Sequence, residues 1–165
     1  MGGGVSPGGL VVRRARVDEI FPLRHAVLRP GKPVTYSVYG EDDGAVHIGA
    51  WDDGELVGCA TVFPDPWAGA PEWAAEPAAW RLRGMAVDPS RQGQGVGGVV
   101  LGQAVEAARE AAAPMLWANA RTAALRFYER HGWRPVGEEF LTADTGLPHV
   151  AIVLPLPAPP APIMQ

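Results

Sequence analysis

The chain has 165 residues, 47% of them apolar and 19% charged, which suits one soluble globular domain with a real core. Its net charge of -4 argues against nucleic acid as the main partner. Its single cysteine, Cys59, excludes an intrachain disulfide and a cysteine metal cluster. No signal peptide and no apolar run long enough to span a bilayer is read, so a cytoplasmic protein without membrane partners is expected.

Residues 1–9, MGGGVSPGG, read as a flexible tail. Leu10 to Arg16 reads as a first strand. Asp18 is placed to cap a helix whose apolar stripe is Ile20, Leu23, Val27 and Leu28, ended by Pro30 and Pro33. The stiff loop from Leu28 to Pro33 either borders a site or merely connects. Ala45 to Trp51 and Leu56 to Phe63 are strand-like, and the Asp53-Gly54 pair between them is a strong hairpin signal. Residues 64–80 are irregular and rich in Pro and Gly; Trp67, Trp73 and Trp80 there either wall a substrate site or cover the sheet. Trp80 to Val87 is the next strand.

A tight Asp88-Pro89 turn follows, then Gly93, Gly95, Gly97 and Gly98 at the opening of a helix with an apolar face of Val96, Val99, Val100, Ala104, Ala107 and Ala108. Each glycine costs a helix roughly 0.5–1 kcal/mol against alanine. A glycine-rich strand-to-helix junction therefore suggests bare N–H groups aimed at an anion, with the helix dipole adding to the attraction. The bland reading is a glycine-lined contact between helix and sheet. A P-loop is excluded, because the only lysine, Lys32, precedes Pro33. Gly93, Gly95 and Gly98 fit GxGxxG, but about 20 residues on, where a dinucleotide fold needs a carboxylate, the chain has Asn119 and Arg121.

Past the loop helix, Pro114 stops the pattern and Met115 to Ala118 reads as a buried strand ending at Asn119. Arg121 to His131 reads as a second helix with Ala124, Leu125, Phe127 and Tyr128 on its apolar side, and Gly132 as its C-terminal stop. Trp133 to Phe140 and Pro148 to Leu154 close the domain as an antiparallel pair. Pro155 to Gln165, with five prolines, reads as disordered. One domain is expected over residues 10–155, flanked by tails at 1–9 and 156–165.

Gln92, Gly95 and Gly97 match Q/R-x-x-G-x-G/A, and this loop resembles the acetyl-CoA pyrophosphate loop of the GNAT N-acetyltransferases. The order β-α-β-β-β-loop-α-β-α-β-β resembles the same superfamily, as does Phe127-Tyr128-Glu129-Arg130-His131-Gly132-Trp133. Thr145-Gly146-Leu147-Pro148-His149, with Asn119-Ala120-Arg121 and Leu28-Arg29-Pro30, resembles its ElaA-type subgroup. The resemblance covers about residues 10–155. It implies an α+β fold with a mixed, mostly antiparallel sheet flanked by helices. It implies transfer of an acetyl group from acetyl-CoA to a primary amine of a small molecule or protein by direct attack, without a metal. A homodimer is left open.

The resemblance also implies roles. Gln92, Gly93, Gln94, Gly95, Val96 and Gly97 would hold the pyrophosphate. Met85, Ala86 and Val87 would pair with pantetheine, with the Val87 N–H facing the thioester carbonyl; an oxyanion donor of that kind contributes roughly 2.7–4 kcal/mol. Relatives commonly carry asparagine seven residues before the tyrosine, where this chain has Arg121, so the pantetheine contact falls to Asn119. Arg126 and Arg130 would meet the 3′-phosphate, or else be ordinary solvated arginines. Tyr128 would protonate the leaving thiolate, whose thiol has a pKa of about 8.5 against about 10 for tyrosine. His149 is the first candidate base, ahead of His47, Glu138 and Glu139. Cys59 reads as a small buried strand residue with no part in the chemistry. Two rival functions remain: a non-catalytic acyl-CoA sensor and a dinucleotide-binding oxidoreductase fragment.

Overall fold

The computed structural model of the chain describes residues 4–5, 9–67 and 76–157. Its elements are β1 Gly4–Val5, β2 Leu10–Ala15, α1 Val17–Leu28, β3 Val46–Asp52, β4 Glu55–Pro64, β5 Trp80–Val87, α2 Val96–Glu110, β6 Met115–Arg121, α3 Leu125–Arg130, β7 Arg134–Leu141 and β8 Pro148–Pro155. The strands make one sheet in the order β1-β2-β3-β4-β5-β6-β8-β7. Every neighbouring pair is antiparallel except β5 and β6. A parallel pair needs a crossover, and α2 supplies it. The fold is α+β with a mixed, mostly antiparallel sheet, as expected.

The Asp-Gly turn forms as read. Asp53 (φ 52) and Gly54 (φ 81) both take left-handed conformations, which two-residue hairpins require. Alternation along the strands sorts side chains to two faces. Leu82, Leu116, Ala118, Ala120, Val150 and Ile152 face α2 and join Val96, Val100, Leu101 and Ala104 in the main core. On the opposite face, Ile20, Cys59 and Ala86 pack with the apolar side of α1. Trp117, Ala79 and Val153 form a third cluster, and Trp67 stacks on Trp117 at 5.6 Å. Of the three tryptophans of the irregular segment, Trp67 and Trp80 cover the sheet, and Trp73 lies outside the described residues.

Several boundaries differ from the sequence reading. Gly4 and Val5 pair with Val12 and Val11, so part of the expected N-terminal tail is a short edge strand. Residues 158–165 lie outside the described residues, but Leu156, expected in the C-terminal tail, is buried, and its N–H donates to the Pro114 carbonyl at 2.9 Å. Arg16, not Asp18, caps α1: the Glu19 carboxylate accepts the Arg16 N–H at 2.9 Å while Asp18 pairs with the Arg16 side chain. β6 runs on to Arg121 because it pairs with β8 along its full length. The expected helix from Arg121 thus becomes a 3-10 turn over Thr122–Ala124 followed by the short α3.

α1 also carries a buried polar network. Arg24 is fully buried; its guanidinium forks onto Asp42 at 2.8 and 3.1 Å and donates to Thr61 Oγ1 at 2.7 Å. Thr61 in turn meets His47 Nδ1 at 2.9 Å, and His47 Nε2 donates to the Asp42 carbonyl at 3.0 Å. With Nε2–H donating, the Thr61 hydroxyl donates to Nδ1 and accepts from Arg24. This ring ties the segment after α1 to the sheet.

Candidate active site

β5 and β6 share only two rungs, Trp80 with Leu116 and Arg81 with Trp117. Beyond them the strands part. β5 is bent there by a bulge: Arg83 opposes Thr61 while Ala86 opposes Cys59, so three steps on β5 match two on β4. Gly84 occupies the bulge at φ 66, and a Cβ there would press on Arg24 Nε at 3.1 Å and Tyr39 Cε2 at 3.2 Å. The result is a wedge in the middle of the sheet. A cavity of about 360 Å³ fills it, lined by Leu82 to Met85 from β5 and Ala118 to Arg121 from β6.

The backbone at the end of β5 is open toward the wedge. The Asp88 N–H donates to the Val57 carbonyl of β4 at 2.9 Å. N–H directions alternate along a strand, so the Val87 N–H points the other way, into the gap. The Val87 side chain meets the first turn of α2, 3.5 Å from where a Cβ on Gly97 would lie. This brings the glycine loop to the mouth of the wedge.

The four loop glycines serve two different purposes. Gly93 (φ 80) and Gly95 (φ 86) are left-handed, and a Cβ on either meets nothing within 4 Å; there glycine is required by backbone conformation. Gly97 and Gly98 have ordinary φ, but a Cβ would meet Phe127 at 3.2 Å and His131 at 3.1 Å; there glycine admits α3. Gly95 caps the 15-residue α2, whose first-turn N–H groups at Val96, Gly97 and Gly98 have no carbonyl four residues back. Gln92 and Gln94 are exposed beside them, whereas the Val96 side chain is buried in the core. Only the Val96 backbone is therefore free to meet a ligand.

Tyr128 reaches the wedge from α3. It lines the cavity, is 6% exposed, and packs edge-on against Phe127 and Trp133 at 5.1 and 5.6 Å. Its hydroxyl has no hydrogen-bond partner among the described residues. Burial pushes its phenol well above the ordinary range. His149 reaches the same cavity from β8, across the sheet. Its Nδ1 lies 2.8 Å from the Leu147 carbonyl. A carbonyl only accepts, so Nδ1 holds the proton and Nε2 presents a lone pair. The other base candidates fall elsewhere. Both nitrogens of His47 are committed to the buried ring, and Glu138 and Glu139 are exposed on the irregular part of β7.

Asn119 lines the cavity on the α1 face, because its neighbours Ala118 and Ala120 face α2. Arg126 and Arg130 are exposed, four apart on α3. Cys59 is buried under α1, its thiol pushed up to about 12 by burial, with Arg24 pulling weakly the other way. Leu28 and Arg29 line the cavity, so the loop after α1 does border a site. The sequence reading did not assign Arg81, Arg83, Tyr39 or Asp144, which also line it. The spacings Arg81-x-Arg83 and Asn119-x-Arg121 were the available signal, since each puts two polar side chains on one face of a strand.

The model of the acetyltransferase (GNAT) family matches residues 15–133. The chain belongs to that family. As a GNAT protein it is an acyltransferase. It is 31% identical over 133 residues to the uncharacterized N-acetyltransferase YitI of Bacillus subtilis (strain 168), covering 79% of this chain and 87% of that protein. Among solved structures, Escherichia coli ElaA matches with a TM-score of 0.68 and 19% identity over 87% of this chain and 98% of that one. An aminoglycoside 6′-N-acetyltransferase complexed with coenzyme A matches with a TM-score of 0.68 and 14% identity over 90% and 99%.

Proposed function

We propose that this protein is an N-acetyltransferase that moves the acetyl group of acetyl-CoA to the primary amine of a small molecule by direct attack within a ternary complex. The observation that carries this reading is the single cavity lined by Tyr128 from the α2 side of the sheet and by His149 from the α1 side. Its size lies at the low end for small-molecule sites, roughly 300–1,000 Å³, which favours a small amine over a folded protein surface.

Acetyl-CoA would supply a thioester and a thiol leaving group. The loop from Gln92 to Gly97 and the first turn of α2 offer N–H groups and a helix dipole for the pyrophosphate. Met85 to Val87 offer a strand edge for the pantetheine amides, with Asn119 across the wedge and Arg126 as the outer candidate for the 3′-phosphate. The Val87 N–H is the donor for the carbonyl oxygen as negative charge develops on it. His149 Nε2 accepts a proton from the acceptor's ammonium, directly or through water, and the neutral amine then attacks the thioester carbonyl. Tyr128 donates its O–H to the departing sulfur. None of these steps asks for Cys59.

Calorimetric titration with acetyl-CoA, followed by thiol-release assays over a panel of amines, tests the reading. Tight acetyl-CoA binding with turnover of at least one amine is the expected result. Binding without turnover of any amine would favour the acyl-CoA sensor. NADPH binding in place of acetyl-CoA would refute the reading altogether.

A further inference from the structure

The α1 face of the wedge is built from arginine. Arg81 and Arg83 alternate with Leu82, which faces α2, so both lie on the α1 face. Arg81 stacks over Trp117 at 4.6 Å and Arg83 over Tyr39 at 3.8 Å. Arg121 alternates with Ala120 in the same sense and donates to the Leu28 carbonyl at 2.7 Å. Arg29 follows α1. All four line the one cavity, and among the described residues Asp144 is the only carboxylate that does.

Carboxylates neutralise these guanidiniums only in part. Asp144 pairs closely with Arg29, at 2.7 Å. Asp65 lies 3.5 Å from Arg81 and Glu41 lies 3.4 Å from Arg83, both long for a charge-assisted hydrogen bond of about 2.7–2.9 Å. Arg121 has no carboxylate partner among the described residues. Burial, and then repulsion from Arg29, draws its pKa down, with Asp144 opposing.

CoA phosphates do not explain the excess. The glycine loop that suits them opens α2, on the other side of the sheet. Whatever enters from the α1 face is the acceptor. We propose that the acceptor amine carries a carboxylate, and that Arg121, with Arg83 beside it across the wedge, holds this carboxylate while the amine faces His149. A planar guanidinium fork matches a carboxylate bidentately, which fixes the orientation of a small molecule as well as binding it. Simple polyamines are repelled by the same surface. This inference rests on the acetyltransferase reading above.

The test compares matched amines at saturating acetyl-CoA: a series of ω-amino acids, their carboxamides, and the corresponding aminoalkyl phosphonates. Acetyl-CoA affinity is measured separately by calorimetry. The expected result is a kcat/KM for the best carboxylate at least tenfold above that of its carboxamide. Arg121→Gln should collapse that preference to about threefold or less, Arg121→Lys should restore part of it, and acetyl-CoA affinity should not move. Equal rates for carboxylate and carboxamide, or a polyamine as the best acceptor, would overturn the inference, and a preference for phosphonate would overturn the carboxylate assignment. If acetyl-CoA binds and other amines are acetylated but no carboxylate-bearing one is, the inference fails while the acetyltransferase reading stands. If acetyl-CoA does not bind, the acetyltransferase reading itself fails.

Discussion

Tyr128→Phe is the sharpest probe of the site. It removes one oxygen and keeps the ring between Phe127 and Trp133. Because the hydroxyl has no hydrogen-bond partner among the described residues, little folding energy is lost: a surrendered hydrogen bond would cost about 0.5–1.5 kcal/mol. The melting temperature should therefore stay within a degree or two. The effect on rate depends on how the proton is shared. A positioned acid that hands over its proton is worth about 10²–10⁴ in rate. Burial, however, lifts the Tyr128 phenol above its ordinary value, further above the thiol's pKa of about 8.5. Complete transfer to the thiolate is then uphill, and Tyr128 acts as a hydrogen-bond donor to the developing charge. Such a bond contributes about 1.5–3 kcal/mol, or about 10–150-fold. The expected fall in kcat is therefore about 10², matched in kcat/KM, as for an interaction made only in the transition state. It should shrink with a thioester whose thiol is more acidic. Steady-state kinetics with the best amine, and thermal unfolding as the control, decide the matter. Wild-type turnover by Tyr128→Phe would refute the argument, and a large fall in melting temperature would move the hydroxyl to a structural role.

His149→Ala should lower kcat/KM by about 10² or more and flatten the acid limb of its pH profile, with acetyl-CoA affinity nearly intact; a profile of unchanged height and shape would leave His149 only the task of bonding Leu147. Gly97→Asp should weaken acetyl-CoA binding more than tenfold, over about 1.4 kcal/mol. Gly97→Ala should do far less, because its Cβ need only displace Phe127 from 3.2 Å; equal losses by calorimetry would mean that crowding, not charge, carries the effect. Cys59 is fully buried and burial pushes its thiol up to about 12, so an alkylating reagent at pH 8 should leave the folded protein unmodified by mass and fully active, and rapid inactivation would contradict its burial.

How much of this was legible in the sequence follows from the range of the interactions involved. The Asp53-Gly54 hairpin, the strand Trp80–Val87 and the glycine-opened helix depend on neighbours within a few residues, and all three stand as read. The limits of β6 and α3 were misplaced because pairing with β8, some thirty residues on, decides where β6 ends. His47 was weighed as a base on residue type alone. Its partners are the Asp42 carbonyl and Thr61, its cross-strand neighbour on β4, and Arg24 joins them through Thr61 only after α1 folds onto the sheet. Arg81, Arg83, Arg121 and Asp144 come from β5, β6 and a distant loop, so nothing local could show them converging. One signal was present and passed over: a lone glycine inside a strand, Gly84, often marks a bulge.

That bulge explains why the site lies where it does. In an otherwise antiparallel sheet, the one parallel step must be bridged by a helix, so β5 necessarily ends at the opening of α2. Had β5 and β6 stayed paired to their ends, the Val87 N–H would be consumed by the ladder and no cavity would separate the faces. The extra residue at Gly84 bends β5 away after two rungs, and Arg24 and Tyr39 fill the space a side chain at Gly84 would need. The same buried ring that fixes Arg24 thus holds the bulge from the α1 side. The wedge places the glycine-opened end of α2 on one face and arginine side chains on the other, with Tyr128 and His149 lining the cavity between them. Two substrates of opposite approach, one held by backbone and one by side chains, are what such an arrangement can bring together without either blocking the other.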